Sequence, residues 1–474
     1  MQKFSFSRIE EGQIGIGVDF GTSNSSVAIF DGKELRCLTI EEGDHALKLI
    51  PTAIYISKDL LPTIGLSGIE QYLQDNRNRQ IKLKQESVGA FDMTLGFGGD
   101  GDAQTITVQA NAWTDQNIPG RLFRGIKSWL GNSDVDRVKI FNKSFNITAL
   151  ITPILLKLKE TYSPFAESKI DIHVGRPVNF VGDSQESNRQ AISRLTDSCR
   201  FAEIKNPIFC EEPVAAAMSF LHTHSVEVDS KYLVFDFGGG TLDLTVLSIT
   251  QNGFSVLATG GIGLGGNMID CMIYKKMIFP EIGLGVKVSR NANAKQEKTD
   301  FRFSDYAERL IDWQNAYQLN TPRLRNQINV GMKEGGEAEI KLKRLRGIIV
   351  DNLSYEILRA IESAKIELSN QTETIISVPG IDLEVPFTRQ DFDEILKAPL
   401  KDIDTLLSDV LSKANVSKDE LTGVVCTGGS SEIPAIRNHL EALLHIPIIR
   451  HDAFTGIAAG LAIANYYGYD SSST

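Results

Sequence analysis

With 474 residues, 42% of them hydrophobic, the chain is long enough to bury more than one core, and two lobes are expected. Its 49 basic and 60 acidic side chains leave a net charge of −11, which repels phosphodiester backbones and anionic lipid; neither nucleic acid nor a membrane is an expected partner. The five cysteines, Cys37, Cys199, Cys210, Cys271 and Cys426, are odd in number and never spaced as CxxC, so neither a disulfide framework nor a zinc site is implied.

The opening MQKFSFSRIEEGQIG contains no apolar run of signal-peptide length, and no stretch of about 18 uninterrupted apolar residues occurs, so a soluble, cytoplasmic chain is expected. From Ile14 to Phe30 the pattern IGIGVDFGTSNSSVAIF places two alternating apolar runs around Gly-Thr-Ser-Asn, which predicts a strand, a polar turn and a returning strand. The glycine-rich run GFGGDGD at 96–102 reads as an exposed loop, because no strand-to-helix context surrounds it. A helix is predicted around Ile151 to Lys159, where Ile151, Ile154, Leu155 and Leu158 share a face. DIHVGRPVNF reads as a buried strand leaving at a turn, and EEPVAAAMSFL as a helix with its proline in the tolerated first turn.

At Tyr232 to Leu247 the sequence YLVFDFGGGTLDLTVL repeats the first hairpin, giving a diverged internal repeat, one copy per half-chain. Beyond Gly266 the chain becomes helical and charged, with Leu358, Ile361, Lys365 and Leu368 on one face of a helix near 354–369. LTGVVCTGGSSEIPAI predicts a strand, a Gly-Gly turn and a helix, and FTGIAAGLAIANYY a last helix whose small residues permit close packing. The serine-rich tail Asp470 to Thr474 reads as disordered.

Each hairpin places an aspartate at the end of a buried strand ahead of a turn that can face an anion. After Asp19 come Gly21, Thr22, Ser23 and Asn24, which offer backbone N–H groups and hydroxyls. After Asp236 come Gly238, Gly239, Gly240 and Thr241, where missing β-carbons allow a ligand close to the backbone. Two such turns facing each other can grip a polyphosphate. The two aspartates would need a cation between themselves and phosphate, for which magnesium held through water is the natural choice.

The motifs GVDFGTSNSSVA, VGRPVNF, EEPVAAA, VFDFGGGTLD, LGGNMID, ESAKIELS and CTGGSSEIP occur in the order found in the DnaK-like seventy-kilodalton heat-shock family. The chain resembles that family over nearly its whole length, least between 45 and 120 and between 275 and 345, and is most similar to its YegD-type members, which consist of the ATPase part alone. The resemblance implies an α/β, actin-like ATPase fold: duplicated ribonuclease-H-like lobes, each a mixed sheet flanked by helices, with nucleotide in the cleft between them. Lobe I would span 1–228, with an insertion at about 45–142 and completion by 450–474. Lobe II would span 229–449, with an insertion at about 267–384, and no peptide-binding domain is expected.

The resemblance further implies ATP or ADP with Mg2+, and roles for individual residues. Thr22 and Ser23 match the first phosphate loop and Gly238 to Thr241 the second. Asp19, Glu212 and Asp236 match carboxylates around the metal and attacking water, and Asp243 a further acidic position. Lys127 of GIKSWLG matches the catalytic lysine. Gly265, Gly266, Gly428, Gly429 and Ser430 match the nucleoside side, and Glu362, Lys365 and Ser369 the ribose and adenine contacts. Where the family places arginines that sandwich adenine, this chain has Ile366 and Glu432, so cation stacking is lost, although an isoleucine can still pack on a base, and either a weaker adenine affinity or a looser base preference is expected.

The function implied is a slow chaperone-like ATPase switch acting on an unidentified protein partner or co-chaperone. The alternatives are a non-hydrolysing nucleotide-dependent scaffold or sensor, and a small-molecule kinase of the same superfamily. The seven histidines form no HExxH, and Trp113, Trp129 and Trp313 are too dispersed to make a stacking platform for single strands.

Overall fold

The computed structural model describes residues 14–41, 47–77, 79, 81–95, 104–166, 171–182, 184–251, 253–289 and 298–469. The expectations for the opening segment before Ile14, for the glycine-rich run at 96–102 and for the tail from Asp470 lie outside these residues.

Two central sheets share one topology. In the first, strand Gly15–Phe20 pairs antiparallel with Asn24–Phe30, placing Gly15 opposite Phe30 and Phe20 opposite Ser25. On its other side it pairs parallel with Ile172–Arg176, which pairs parallel with Pro207–Glu211; Leu35–Cys37 closes the far edge. In the second, strand Lys231–Phe237 pairs antiparallel with Leu242–Thr250 and parallel with Gly423–Thr427, with Gly253–Ile262 and Ile448–Arg450 at the edges. The order is the same in both: edge, returning strand, central strand, then two parallel strands. The repeat legible in the two hairpins therefore extends through five strands, three of them too diverged in sequence to be recognised as copies.

These central strands are buried on both faces. Gly15–Phe20 is buried at every position, and Lys231–Phe237 at all but its first. On one face of the first sheet lies the helix Ile147–Tyr162, whose Ile151, Ile154, Leu155 and Leu158 enter the core. It begins four residues before the expected start, because the Asn146 side chain accepts a hydrogen bond from the Ala149 N–H at 2.9 Å and caps it. On the other face, Glu212–Thr223 and the last helix, Gly456–Tyr466, pack together with Ala28, Phe30 and Cys210.

Glycine and alanine make that packing close. A β-carbon on Gly15 would stand 2.2 Å from the Ala462 carbonyl oxygen, one on Gly17 2.3 Å from that of Ala458, and one on Gly460 1.7 Å from that of Ala215. Asn465 ties the last helix to the sheet: its Oδ1 accepts from the Ile16 N–H at 2.7 Å, and its Nδ2 donates to the Asp171 carbonyl at 2.9 Å. The last helix thus joins elements more than 400 residues earlier in the chain.

Between the strands of each half the chain inserts further elements. In the first half these are a three-stranded sheet of Ala53–Ser57, Pro62–Ile64 and Gly120–Arg124, the helix Gly65–Asn76, and a long hairpin of Leu83–Leu95 with Gln104–Asp115. In the second they include the helices Pro322–Met332, Gly336–Val350 and Ser354–Glu367, and a hairpin of Glu373–Val378 with Leu383–Thr388.

Candidate active site

The topology puts Asp19 and Asp236 at equivalent places, one residue from the ends of the two central strands. Each is followed by its turn, and the turns touch. A β-carbon on Gly239 would fall 1.9 Å from the Ser23 hydroxyl, and one on Gly240 2.6 Å from that of Thr22. Gly265 supports the second turn from behind, where a β-carbon would come 2.4 Å from the Gly239 carbonyl oxygen. The Gly266 and Asn267 N–H groups at the start of helix Gly266–Ile273 donate to the Gly238 and Gly239 carbonyls at 3.0 and 2.9 Å, and Ser430 Oγ donates to the Gly238 carbonyl at 2.9 Å.

Beneath the turns lies a buried charged cluster. Strand Gly120–Arg124 ends at Gly125, whose φ of 67° turns the backbone into Ile126–Trp129 and carries Lys127 inward. The Lys127 ammonium donates to Glu212 at the start of helix Glu212–Thr223, and both side chains are buried. Asp19, Asp236 and Asp243 are buried beside them. Asp243 Oδ1 accepts from the Val178 N–H at 3.0 Å. Asp19 Oδ1 and Asp243 Oδ2 are buried with no hydrogen-bond partner among the described residues.

Four carboxylates around one ammonium make a strongly anionic interior. Burial, then the neighbouring Glu212 carboxylate, pushes the Asp19 carboxyl up to about 7 and the Asp243 carboxyl to about 7. Burial also drives Asp236 well above the usual range, with Glu212, Asp243 and Asp19 adding to it. Such a cluster is relieved by protons or by a cation. Among the described residues no group of three or more His, Cys, Asp or Glu side chains is arranged to hold an ion directly. Asp19 and Asp236, with unpaired oxygen close by, suit a hydrated ion instead.

A cavity of about 410 Å³ opens above this floor. Asp19, Gly21, Thr22, Ser23, Asn24, Glu212, Asp236, Gly238, Gly239, Gly240 and Thr241 line one part of it. Gly266, Glu362, Lys365, Ser369, Gly428, Gly429 and Ser430 line another. Lys127, Asp243 and Gly265 are not on its wall: Lys127 reaches it through Glu212, and Gly265 acts through the turn it supports.

Among the lining residues that did not emerge from sequence reasoning are Arg124, Asn267, Asp270 and Phe454. Arg124 reaches across the cleft, its guanidinium 3.2 Å from Glu362 and 3.3 Å from the Tyr355 hydroxyl. Asp270 accepts from the Lys365 ammonium at 2.6 Å, which also donates to the Gly266 carbonyl at 3.4 Å. Asn267 and Asp270 both stand in the LGGNMID motif, three residues apart, and that helical spacing was the available signal. Phe454 had none. Of the two departures at the arginine positions, Ile366 lines the cavity, whereas Glu432 turns to Arg437 and Arg450 at 3.0 and 3.8 Å.

The family model "Hsp70 protein" matches residues 115–311 and 338–464. Among curated proteins the chain is similar to "Chaperone protein DnaK" of Deinococcus proteolyticus, 24% identical over 440 residues, covering 90% of this chain and 55% of that protein. It is also similar to "Heat shock 70 kDa protein 7, chloroplastic" of Arabidopsis thaliana, 24% identical over 437 residues, covering 90% of this chain and 48% of that protein. The chain thus spans about half the length of these relatives. With the family model matched over most of the chain, and two sheets of one topology flanking a cleft, the chain belongs to the Hsp70 protein family and has the actin-like ATPase fold.

Proposed function

We propose that the cleft binds Mg-ATP and hydrolyses it slowly, and that the two halves close on nucleotide and reopen after turnover, so that the protein acts as a chaperone-like switch on a protein partner. The observation that supports this most is the contact of the two turns, Gly239 against Ser23 and Gly240 against Thr22, directly over a buried cluster of four carboxylates and one lysine. A polyphosphate between turns from different halves is held by both, so its γ-phosphate is the natural sensor of closure.

The residues divide the work by chemistry. Backbone N–H groups and the Thr22, Ser23 and Thr241 hydroxyls bind and orient the phosphates. Asp19 and Asp236 would hold hydrated Mg2+, which neutralises phosphate charge when bound. Lys127, held by Glu212, offsets charge on the transferred phosphoryl group, while Glu212 orients the attacking water. Asp243 keeps the Val178 loop and the floor of the site in one arrangement. Expulsion of water by closure strengthens each of these interactions. A cytoplasmic setting and a co-chaperone partner complete this reading.

The test is nucleotide binding and single-turnover hydrolysis with magnesium, comparing the parent chain with Lys127→Ala and Asp236→Asn. Binding by all three with turnover only by the parent is the expected result. Binding without turnover by the parent would replace the ATPase with a non-hydrolysing sensor, and no binding of any polyphosphate would overturn the reading.

A further inference from the structure

Two crossings carry the chain between its halves. One leaves helix Glu212–Thr223 of the first half for strand Lys231–Phe237 of the second, and the other returns from strand Ile448–Arg450 to the last helix, Gly456–Tyr466. Each crossing begins with a histidine: His224 follows the helix and His451 follows the strand. The two rings meet edge to face, with centroids 5.7 Å apart. Phe220 joins them, stacked on His224 at 4.5 Å and edge-on to His451 at 5.8 Å. Their backbones are tied to different halves, since the His224 N–H donates to the Phe220 carbonyl at 2.9 Å and the His451 N–H to the Cys426 carbonyl at 3.0 Å.

His451 is buried, and its Nε2 has no hydrogen-bond partner among the described residues. A neutral imidazole tolerates this, because one of its nitrogens carries no hydrogen. In the cation both nitrogens are donors, and the one at Nε2 would have no acceptor. The surroundings do little to hold such a charge. Strand Lys231–Phe237 contributes Tyr232, whose ring is 5.4 Å from that of Phe220, and strand Gly423–Thr427 contributes Cys426, whose thiol burial pushes up to about 12 and keeps neutral. Along its own segment Arg450 turns to Glu432 at 3.8 Å, and the Asp452 carboxylate accepts from the Phe454 and Thr455 N–H groups at 3.2 and 3.0 Å. The last helix presents Gly456, where a β-carbon would stand 3.5 Å from the His451 ring, so the positive end of that helix lies beside it. Burial, then His224, holds the His451 imidazole below its ordinary 6.5, against an opposing pull from Asp452.

Resting on the opening and closing of the halves proposed above, we infer that His224 and His451 form a proton-operated joint between the two crossings. A proton on His451 disfavours the packed arrangement, in which the phosphate turns touch, and favours a parted one that hydrates the ring and lets the cleft release its ligand. The parted joint returns His451 to water and to its ordinary value, so it takes the proton more readily than the packed joint does. Opening is therefore favoured as pH falls through 6.5, and His451 contributes nothing to it near pH 7.5.

The experiment measures release of a fluorescent ADP analogue from the full chain at pH 7.5 and pH 5.5, comparing the parent with His451→Phe and His451→Asn. The carboxyls of Asp19 and Asp243 also titrate between these values but are common to all three chains, so the ratio of parent to variant release rate is read. That ratio is expected to rise by about threefold or more from pH 7.5 to pH 5.5 with either variant, and a ratio that stays constant overturns the proposal. Hydrogen exchange of the nucleotide-free chain, corrected for its intrinsic dependence on pH, reads the joint without a ligand. The His224 and His451 amides should be less protected at pH 5.5 than at pH 7.5 in the parent, and equally protected at both in the variants. If they behave so while no chain binds the analogue, the joint stands and the nucleotide reading falls. Equal protection in parent and variants at both pH values removes the joint whatever the cleft binds.

Discussion

Gly239 and Ser23 meet with no room for a side chain as the two stand: a β-carbon on Gly239 would be 1.9 Å from the Ser23 hydroxyl and 3.0 Å from its β-carbon, so Ser23 would have to move. The contact joins turns from the two halves, so added volume there pushes the halves apart rather than disturbing either core. Gly239→Ala is expected to lower tripolyphosphate affinity by about tenfold or more, while the melting midpoint shifts by less than about 3 °C. Calorimetric titration beside a thermal melt checks this. A large loss of stability would mean that the turn supports the fold and not only the cleft.

Lys127 and Glu212 form an ion pair buried among three further carboxylates. Removing the lysine alone leaves Glu212 charged and unpaired, so Lys127→Ala is expected to destabilise the nucleotide-free protein by about 3–5 kcal/mol near pH 7.5. The double change Lys127→Ala with Glu212→Ala should recover much of that loss, because it removes the orphaned charge. Urea denaturation of the single and double variants measures the coupling.

The raised carboxyls of Asp19 and Asp243 predict a pH dependence with a definite sign. A carboxyl at about 7 in the folded protein, against an ordinary value of 3.8, holds its proton between these limits where the unfolded chain has lost it. Stability therefore falls as pH rises from about 4 to about 7. The nucleotide-free protein should melt at a lower temperature at pH 7.5 than at pH 5.5, and Asp243→Asn should raise the midpoint at pH 7.5 by roughly 2–4 °C. Differential scanning calorimetry at the two pH values is the measurement, and a midpoint that rises with pH would contradict it.

Arg124 bridges the two halves through Glu362 and the Tyr355 hydroxyl. Both contacts must part when the cleft opens at this point. The pair is only partly exposed, so Arg124→Ala is expected to speed nucleotide release by roughly two- to fivefold without a comparable change in the association rate. Stopped-flow displacement of a fluorescent nucleotide analogue reads both rates, and an equal change in the two would remove Arg124 from the opening step.

Much of this molecule is local in origin. The two Asp-x-Gly hairpins, the Pro-initiated helix at Glu212 and the final small-residue helix are set by alternation, turn chemistry and close-packing residues that lie next to one another in the chain, so the sequence by itself determined them and, through their order, the resemblance to the heat-shock family. What it could not express is contact between residues far apart. Lys127 meets Glu212 across 85 positions and Arg124 meets Glu362 across 238, and no local pattern encodes either pair. Phe454 shows the same limit more sharply, since an aromatic residue before a helix has no periodic or motif signature, and only the approach of its turn to Gly429 brings it to the cleft. The raised carboxyls likewise belong to the tertiary structure: a carboxylate's affinity for its proton depends on the water it loses and the charges brought beside it, and both are decided when the two halves pack.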